Sequence, residues 1–269
     1  GVLVRMGMEF FSAFVVPSFA CSLVLGVVLT MFFYKLFRSR AIAMLSTTIF
    51  LLNGGLGWWW YIQDVLASPS IQTAFSFTKE YTHLTTLGIQ WISVITSMIV
   101  PQRSFTFGFP IAILVLLMLL QQVDKARIDW NMRWFIIAGV VSVLMPLIHM
   151  HSFMMIAIVS ACWMVWSLVR KESQHGRHHA LMCWVVFLCT TVLIASPTLI
   201  LFYAQTIGKT SHGAFIQWYP GWFVNQHAEH KEMNWVWWWV LNWVITLPLG
   251  IVGWFRSSRR IQAITLPFF

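Results

Sequence analysis

The sequence predicts an all-α protein, a polytopic transmembrane helical bundle with about seven crossings and one further segment that is interfacial or re-entrant. Three observations carry this prediction. The chain of 269 residues is 59% apolar and only 9% charged, whereas a soluble domain carries about 25% charged residues. Its mean hydropathy is +0.74. Several stretches also hold the roughly 20 apolar residues that a helix needs to cross a bilayer.

This composition excludes a soluble enzyme, a disordered chain and a nucleic-acid-binding domain. The net charge of +9 does not indicate nucleic acid as a partner, because the basic residues are spread over short segments between apolar runs. Membrane lipids are the expected surroundings. At this length we expect residues 1–269 to form one transmembrane domain. The four cysteines lie inside apolar runs, so a disulfide framework is not expected.

The apolar stretches define the predicted spans in chain order. Those taken as crossings are 11–34, 41–62, 105–120, 134–148, 153–169, 180–204 and 235–255. The stretch 84–100 is weaker, because Thr, Ser and Gln side chains interrupt it. If this weak stretch does not cross, 12 of the 17 Lys and Arg residues fall on one side, in segments 35–40, 125–133, 170–177 and 256–260. The positive-inside rule therefore favours seven crossings with a cytoplasmic C-terminus.

The same assignment puts the polar features on the opposite, extracytoplasmic face. These features are segment 101–104, the turn at 149–152, the long loop 206–234, and the carboxylates Glu9, Asp64 and Glu80. The basic loops are short, whereas these loops are longer and mixed in charge. We therefore expect any chemistry on the extracytoplasmic face.

Gln102 and Arg103 precede an apolar stretch that Pro101 separates from the weak segment. An arginine at headgroup depth can hold a phosphate with two hydrogen bonds, and the N-terminus of the following helix also favours an anion. A phosphate-binding role for Arg103 is one reading. The alternative is an arginine that snorkels to the lipid headgroups.

His149 and His151 form a turn after Pro146, and Ser152 is a suitable cap for the next helix. Ionisable residues at such a turn in a membrane are candidates for substrate binding or acid–base chemistry. The alternative is that they bond backbone carbonyls. Two histidines do not supply the three protein ligands of a catalytic zinc, so no metal site is predicted there.

The remaining candidates are carboxylates and aromatic residues. Asp64 and Glu80 would serve as a general base or hold a divalent cation; the alternative for each is a solvated helix end. Trp58 begins a tryptophan run that is typical of an interfacial belt but would also stack on a sugar ring. Trp218 and Tyr219 lie in the loop 206–234, whose length is typical of a functional loop. The alternative is that this loop is a structural plug.

The order of these features resembles that of the GT-C superfamily of membrane glycosyltransferases, whose members include protein O-mannosyltransferases. The resemblance covers most of the chain. It rests on Gly54-Gly55-Leu56-Gly57-Trp58, on Pro101-Gln102-Arg103-Ser104-Phe105-x-Phe107-Gly108, on the segment 146–153, and on Trp239-x3-Trp243-x4-Pro248-Leu249-Gly250.

The resemblance implies transfer of a sugar from a polyprenyl or dolichyl phosphate to a lipid, glycan or protein acceptor at the extracytoplasmic face. In that superfamily an acidic pair in the first outer loop usually carries catalysis. No such pair of adjacent carboxylates is present here. The chain begins at Gly1, and we expect the missing base to lie upstream, with Glu9 as a remnant of that loop.

Two other classes remain open. A transporter or channel subunit usually marks its path with ionisable residues inside the helices, and these apolar stretches contain almost none. The second is a non-catalytic assembly subunit, and only the polar residues gathered on the extracytoplasmic face argue against it.

Overall fold

The computed structural model describes residues 2–53, 55–91, 93–125, 129–170, 174–207, 235–243 and 246–268. Its regular structure is mainly helical. In chain order the helices are α1 (Val2–Arg5), α2 (Phe10–Phe37), α3 (Arg40–Leu52), α4 (Gly57–Leu66), α5 (Arg103–Val123), α6 (Met132–Ser142), α7 (Met145–Ile148), α8 (Met150–Val169), α9 (Gln174–Ile207), α10 (Trp235–Trp243), α11 (Thr246–Arg256) and α12 (Arg259–Thr265).

The predicted weak segment 84–100 contains no spanning helix in its described residues. Two short strands, β1 (His83–Leu84) and β2 (Ile89–Gln90), pair antiparallel, and a π-helix follows over Val94–Ile99. Short 3-10 helices at Ile71–Phe75, Thr85–Leu87 and Leu266–Phe268 complete the regular structure described. The polar interruptions in this segment therefore accompany irregular backbone, and its interfacial or re-entrant position stays a prediction.

Four helices are long and apolar enough to cross a membrane, namely α2, α5, α8 and the part of α9 over Gly176–Leu201. The count rises to six if each interrupted pair, α3 with α4 and α10 with α11, forms one span. The predicted crossing at 134–148 falls on a shorter apolar helix, Met132–Ile148, in which α6 and α7 follow each other. The protein is an all-α membrane bundle, and the predicted count of seven is not confirmed.

The chain contacts divide into two compact units. The first comprises Gly1–Ile49, Met98–Thr210 and Ser258–Phe269, and the second comprises Phe50–Ser97 and Ser211–Ser257. The single domain predicted over 1–269 stays a prediction.

Helix α5 is the centre of the first unit. It packs against α2, α6, α7 and α8, and α6 and α8 in turn pack against α9. In the most apolar window of α5, 61% of the residues are buried, against 17% in α2. The central place of α5 among the other helices accounts for its greater burial. The outer helices leave large apolar side chains exposed, such as Phe19 and Leu193, as expected for helices that contact lipid tails.

Helices α2 and α5 run parallel, as contacts at both of their ends show. At one end the Arg103 guanidinium lies over the Phe14 ring, 3.0 Å from its centroid. At the other end Lys35 and Arg38 contact Asp124. Two parallel spans require the chain to return between them.

Polar side chains fasten neighbouring helices inside the apolar bundle. The Trp184 Nε1–H donates to Ser167 Oγ at 2.9 Å, joining α9 to α8. The Trp163 Nε1–H donates to the Ile264 carbonyl at 2.8 Å, joining α8 to α12. Small residues allow close approach as well, because a Cβ at Gly139 of α6 would lie 2.9 Å from Thr190 Cβ of α9. Both devices are typical of helix association in membranes.

The C-terminal end of α5 carries a buried ionic cluster. The Asp124 side chain is only 4% exposed, and its carboxylate contacts Arg260, Lys35 Nζ at 3.3 Å and Arg38 Nη2 at 3.3 Å. Burial alone would raise the pKa of Asp124. The hydrogen bonds and charges of Arg260 and Lys35 outweigh it and hold that pKa below its ordinary value. The carboxylate is therefore ionised at neutral pH and joins α2, α5 and α12.

The second unit is organised around Asn242 of α10. Its Oδ1 accepts the Gln90 N–H at 2.9 Å, and its Nδ2 donates to the Gly88 carbonyl at 3.1 Å. This one side chain thus satisfies backbone groups of the β1–β2 hairpin. Gly57 is the first residue of α4 and lies against the backbone of Tyr81. A Cβ added at this position would lie 1.8 Å from the Tyr81 carbonyl oxygen. A side chain at this position would therefore collide with the backbone of Tyr81.

The Asp124 cluster yields a test of stability. We expect Asp124→Asn to lower the free energy of unfolding by about 2–3 kcal/mol, because it leaves three cations without their buried counter-charge. The measurement is denaturant or thermal unfolding of the purified chain in one detergent. The matched control is Asp64→Asn, since that side chain is 38% exposed and the loss of a solvent-exposed ion pair should lower the stability much less. Equal losses in the two variants would contradict the assignment.

Candidate functional site

The start of α5 is held by a buried threonine. Thr106 Oγ1 donates to the Ile99 carbonyl at 2.8 Å and lies 3.2 Å from the Gln102 carbonyl, and Thr106 is 0% exposed. Gln102 is the N-cap residue, but its side chain makes no capping bond. The turn between the π-helix and α5 is thereby fixed, and it places Gln102 and Arg103 at the N-terminal end of the central helix.

His149 separates α7 from α8 and caps α8. Its Nδ1 accepts the Ser152 N–H at 3.3 Å and lies 2.8 Å from Ser152 Oγ. Our prediction that Ser152 caps this helix was therefore wrong. The cap needs an acceptor on the residue just before the first turn, and the extended backbone at that position belongs to His149.

The capping bond sets the protonation of His149. A backbone N–H can only donate, so Nδ1 is the acceptor and the neutral ring keeps its proton on Nε2. Burial lowers the pKa of His149, and the charge of His151 lowers it further. At neutral pH the ring is therefore uncharged and offers its Nε2–H as a hydrogen-bond donor.

A cavity of about 370 Å³ lies at this end of the first unit. Its lining, which we call the histidine cavity, consists of Met98, Gln102, Phe105, Phe109, His149, His151, Ser152 and Met155. Half of these residues are polar and half are apolar. The arrangement suits a ligand with a polar head and an apolar body.

A second cavity continues from the first along α8. It has a volume of about 290 Å³ and is lined by His151, Met154, Met155, Ile158, Val159 and Pro267. His151 and Met155 line both cavities. Apart from His151 the second lining is apolar, so most polar side chains of the two linings belong to the histidine cavity, and we call these four, Gln102, His149, His151 and Ser152, its polar mouth.

Arg103 lies beside the histidine cavity but is not among its lining residues. It is the first residue of α5, next to Gln102, and its exposed guanidinium stacks on Phe14. Stacking on a ring leaves the edge N–H groups of a guanidinium available for a phosphate. Of the predicted substrate-binding residues, Gln102, His149 and His151 thus share one cavity, and Arg103 adjoins it.

The other predicted residues lie elsewhere. Glu9 is the N-cap residue of α2, where its Oε2 accepts the Ser12 N–H at 3.3 Å and the Ser12 hydroxyl at 2.8 Å. Trp58 belongs to the second unit, is 48% exposed and packs edge-to-face on Trp59. Trp218 and Tyr219 lie outside the described residues.

Asp64 and Glu80 have structural partners in the second unit. Asp64 Oδ2 accepts the Lys79 Nζ at 2.8 Å and the Tyr81 hydroxyl at 2.7 Å. Burial of Tyr81 and its bond to Asp64 raise the pKa of the tyrosine to about 12. Glu80 Oε1 lies 3.0 Å from His83 Nδ1. These contacts give both carboxylates a structural role. Their predicted roles as a general base or as ligands of a divalent cation stay predictions.

The apolar wall of the histidine cavity was not predicted from the sequence. Phe105 and Phe109 stack with their centroids 4.7 Å apart, a helical spacing that is present in the sequence but also typical of any buried helix face. Among the described residues, no three His, Cys, Asp or Glu side chains lie close enough together to hold a metal ion.

Helix α5 packs closely against His149 at Gly108. A Cβ at Gly108 would lie 2.6 Å from His149 Cβ, so Gly108→Ala must displace the histidine. We expect it to lower the free energy of unfolding by about 1–3 kcal/mol and to impair any ligand binding in the histidine cavity. The control is Gly26→Ala in α2, where a Cβ meets nothing within 4 Å. Unfolding measurements that rank the two variants equally would refute the close contact.

No family model, curated protein or solved structure matches the chain. Its function is therefore inferred from the chemistry of the residues just described.

Proposed function

We propose that this multi-pass integral membrane protein is a glycosyltransferase that moves a sugar from a polyprenyl or dolichyl phosphate to a lipid, glycan or protein acceptor. The observation that carries the proposal is the histidine cavity, with its polar mouth, its apolar continuation along α8 and the adjacent Arg103. These are the parts that an amphiphilic phosphate donor requires.

The polar mouth suits the phosphate and sugar of the donor. Arg103 would hold phosphate oxygens through its guanidinium edge. His149 would donate its Nε2–H, and the Gln102 amide both donates and accepts. Keeping His149 neutral suits this role, because a donor of fixed tautomer orients a ligand without adding a second buried charge. Trp58, Trp218 and Tyr219 remain proposed contacts of the sugar ring.

The apolar continuation suits the polyprenyl chain. From His151 the second cavity follows Met154, Met155, Ile158 and Val159 along α8, which is one of the four long apolar helices. A chain bound there would keep its head at the end of the bundle and its tail at bilayer depth. Methionine side chains adapt to irregular apolar ligands, and Met98, Met154 and Met155 all take part.

The proposed transfer needs a base to activate the acceptor. No carboxylate lines the histidine cavity in the described part of the chain. We propose Glu9 as the candidate base, because it caps α2 at the same end as Phe14, on which Arg103 stacks.

The proposal also places the histidine cavity on the extracytoplasmic face. It follows the seven-crossing arrangement, in which most basic residues and the C-terminus are cytoplasmic. What supports it is the position of Arg103 and Asp124 at opposite ends of α5. The basic residues Lys35, Arg38 and Arg260 gather at the Asp124 end, away from the cavity.

Arg103 provides the sharpest test. We expect Arg103→Lys and Arg103→Ala to reduce sugar transfer on the order of 10²-fold, because phosphate charge develops in the transition state and lysine does not reproduce the guanidinium fork. The assay incubates membranes containing the protein with a radiolabelled polyprenyl-phosphate sugar.

Arg133→Lys is the matched control, since Arg133 is an exposed arginine in the first turn of α6. It should leave transfer unchanged. Turnover at the level of the unmodified protein in Arg103→Lys would dismiss the phosphate role. Absence of transfer in the unmodified protein, with solute flux in liposomes instead, would favour a transporter.

A further inference from the structure

The second cavity, which follows α8, is bounded by a segment far from it in the sequence. This segment, which we call segment 259–268, consists of α12 and the 3-10 helix Leu266–Phe268. Its Pro267 lines the second cavity, and the other lining residues all come from α8. Apart from His151 that lining is apolar, and we call the second cavity the apolar channel.

Two sets of hydrogen bonds hold segment 259–268 in place. At its start Arg260 donates to the buried Asp124 carboxylate and to the Leu36 carbonyl at 3.3 Å. In its middle the Ile264 carbonyl accepts the Trp163 Nε1–H at 2.8 Å, and both residues are 0% exposed. The segment is thus joined to α5, to α2 and to α8, and these bonds fix the position of Pro267 beside the channel.

Segment 259–268 runs along α8 from the Asp124 end of the bundle toward the middle of that helix. Ile264 contacts Trp163, which lies one turn beyond Val159, whereas Pro267 lines the channel with Val159. The channel therefore extends from His151 along the first half of α8. The segment occupies the space beside the second half.

The composition of the segment suits this depth. After Arg260, residues 261–268 include no charged side chain. The Thr265 hydroxyl donates to the Ile261 carbonyl at 2.7 Å, so this polar group is satisfied within the segment, as the interior of a bilayer requires. Segment 259–268 is therefore suited to close one end of an apolar site.

The channel is short compared with the membrane. Between His151 and Val159, α8 rises by about 12 Å, whereas the hydrocarbon core of a bilayer is about 30 Å thick. Ile158 lines the channel and is also 57% exposed, so the channel opens sideways at this residue. An isoprenoid tail longer than the channel must leave it there and enter the lipid.

We propose that Pro267 and segment 259–268 form the far end of the donor's tail site, so that the protein recognises only the isoprene units nearest the phosphate. This inference rests on the proposed function, which places the phosphate at the histidine cavity. His151 and Met155 line both cavities, so a tail can continue from one into the other. Isoprene units beyond Ile158 contact lipid alone and do not contribute to selection of the donor.

The test locates the tail in liposomes that contain the full chain. The probe is farnesyl phosphate with a photoreactive diazirine at the far end of its tail, and peptide mass spectrometry identifies the residues labelled on irradiation. We expect label on Ile158, Val159, Leu266 and Pro267. Unlabelled undecaprenyl phosphate should displace the probe as well as farnesyl phosphate does at equal mole fraction. Farnesol should displace it poorly, because it has no phosphate.

A variant that fills the channel gives a second measurement. We expect Ile158→Trp to reduce the labelling of Pro267 about tenfold, because the larger ring occupies the space of the tail. The matched control is Val165→Trp. Val165 is also 57% exposed, lies two turns further along the same face of α8 and lines neither cavity. This control should leave the labelling unchanged.

Several results would overturn the tail site. They are label spread evenly over the lipid-exposed faces of α2 and α9, equal displacement by farnesol, and unchanged labelling in Ile158→Trp. Sugar transfer with label only away from Leu266 and Pro267 would overturn the tail site and leave the proposed function standing. The expected labelling without sugar transfer would support the tail site and contradict the proposed function.

Discussion

The buried carboxylate of Asp124 is the interaction on which the rest of the first unit depends. It is 4% exposed and receives charges from the end of α2 and from α12. A desolvated carboxylate is stable only when paired and hydrogen-bonded, so these elements must meet at one point. Arg38 there adopts a left-handed φ of 56° at the α2 C-cap, a conformation usually taken by glycine. The register of α2 against α5 and the seating of α12 on α8 follow from this junction.

Helix α5 connects two sites of different character. Its 21 residues rise by about 31 Å, which matches the hydrocarbon core of a bilayer. At its start lie a neutral histidine, an amide and an arginine beside an apolar channel, and at its end lies an arginine-rich cavity.

Hydropathy predicted the long spans because their apolar residues are continuous, and the polar interruptions correctly separated 84–100 from them. It did not predict the breaks that divide 41–62 and 235–255, since a bend depends on tertiary contacts such as those of Asn242 and Gly57. Gln102, His149 and His151 were singled out as polar residues near helix ends, but only the fold brings them into one cavity. Asp124 was missed, because a lone acidic residue in a basic loop does not reveal which other helix ends surround it.

The central claim is that the two ends of α5 lie on opposite faces of the membrane. Cysteine labelling tests it directly, in a background where Cys21, Cys162, Cys183 and Cys189, which are all free, are replaced by alanine. Gln102→Cys and Arg259→Cys would be treated with a membrane-impermeant maleimide on sealed vesicles of known orientation. We predict that Gln102→Cys reacts from the extracytoplasmic side and Arg259→Cys from the cytoplasmic side. Reaction of both from the same side would contradict the arrangement and the proposed donor site built on it.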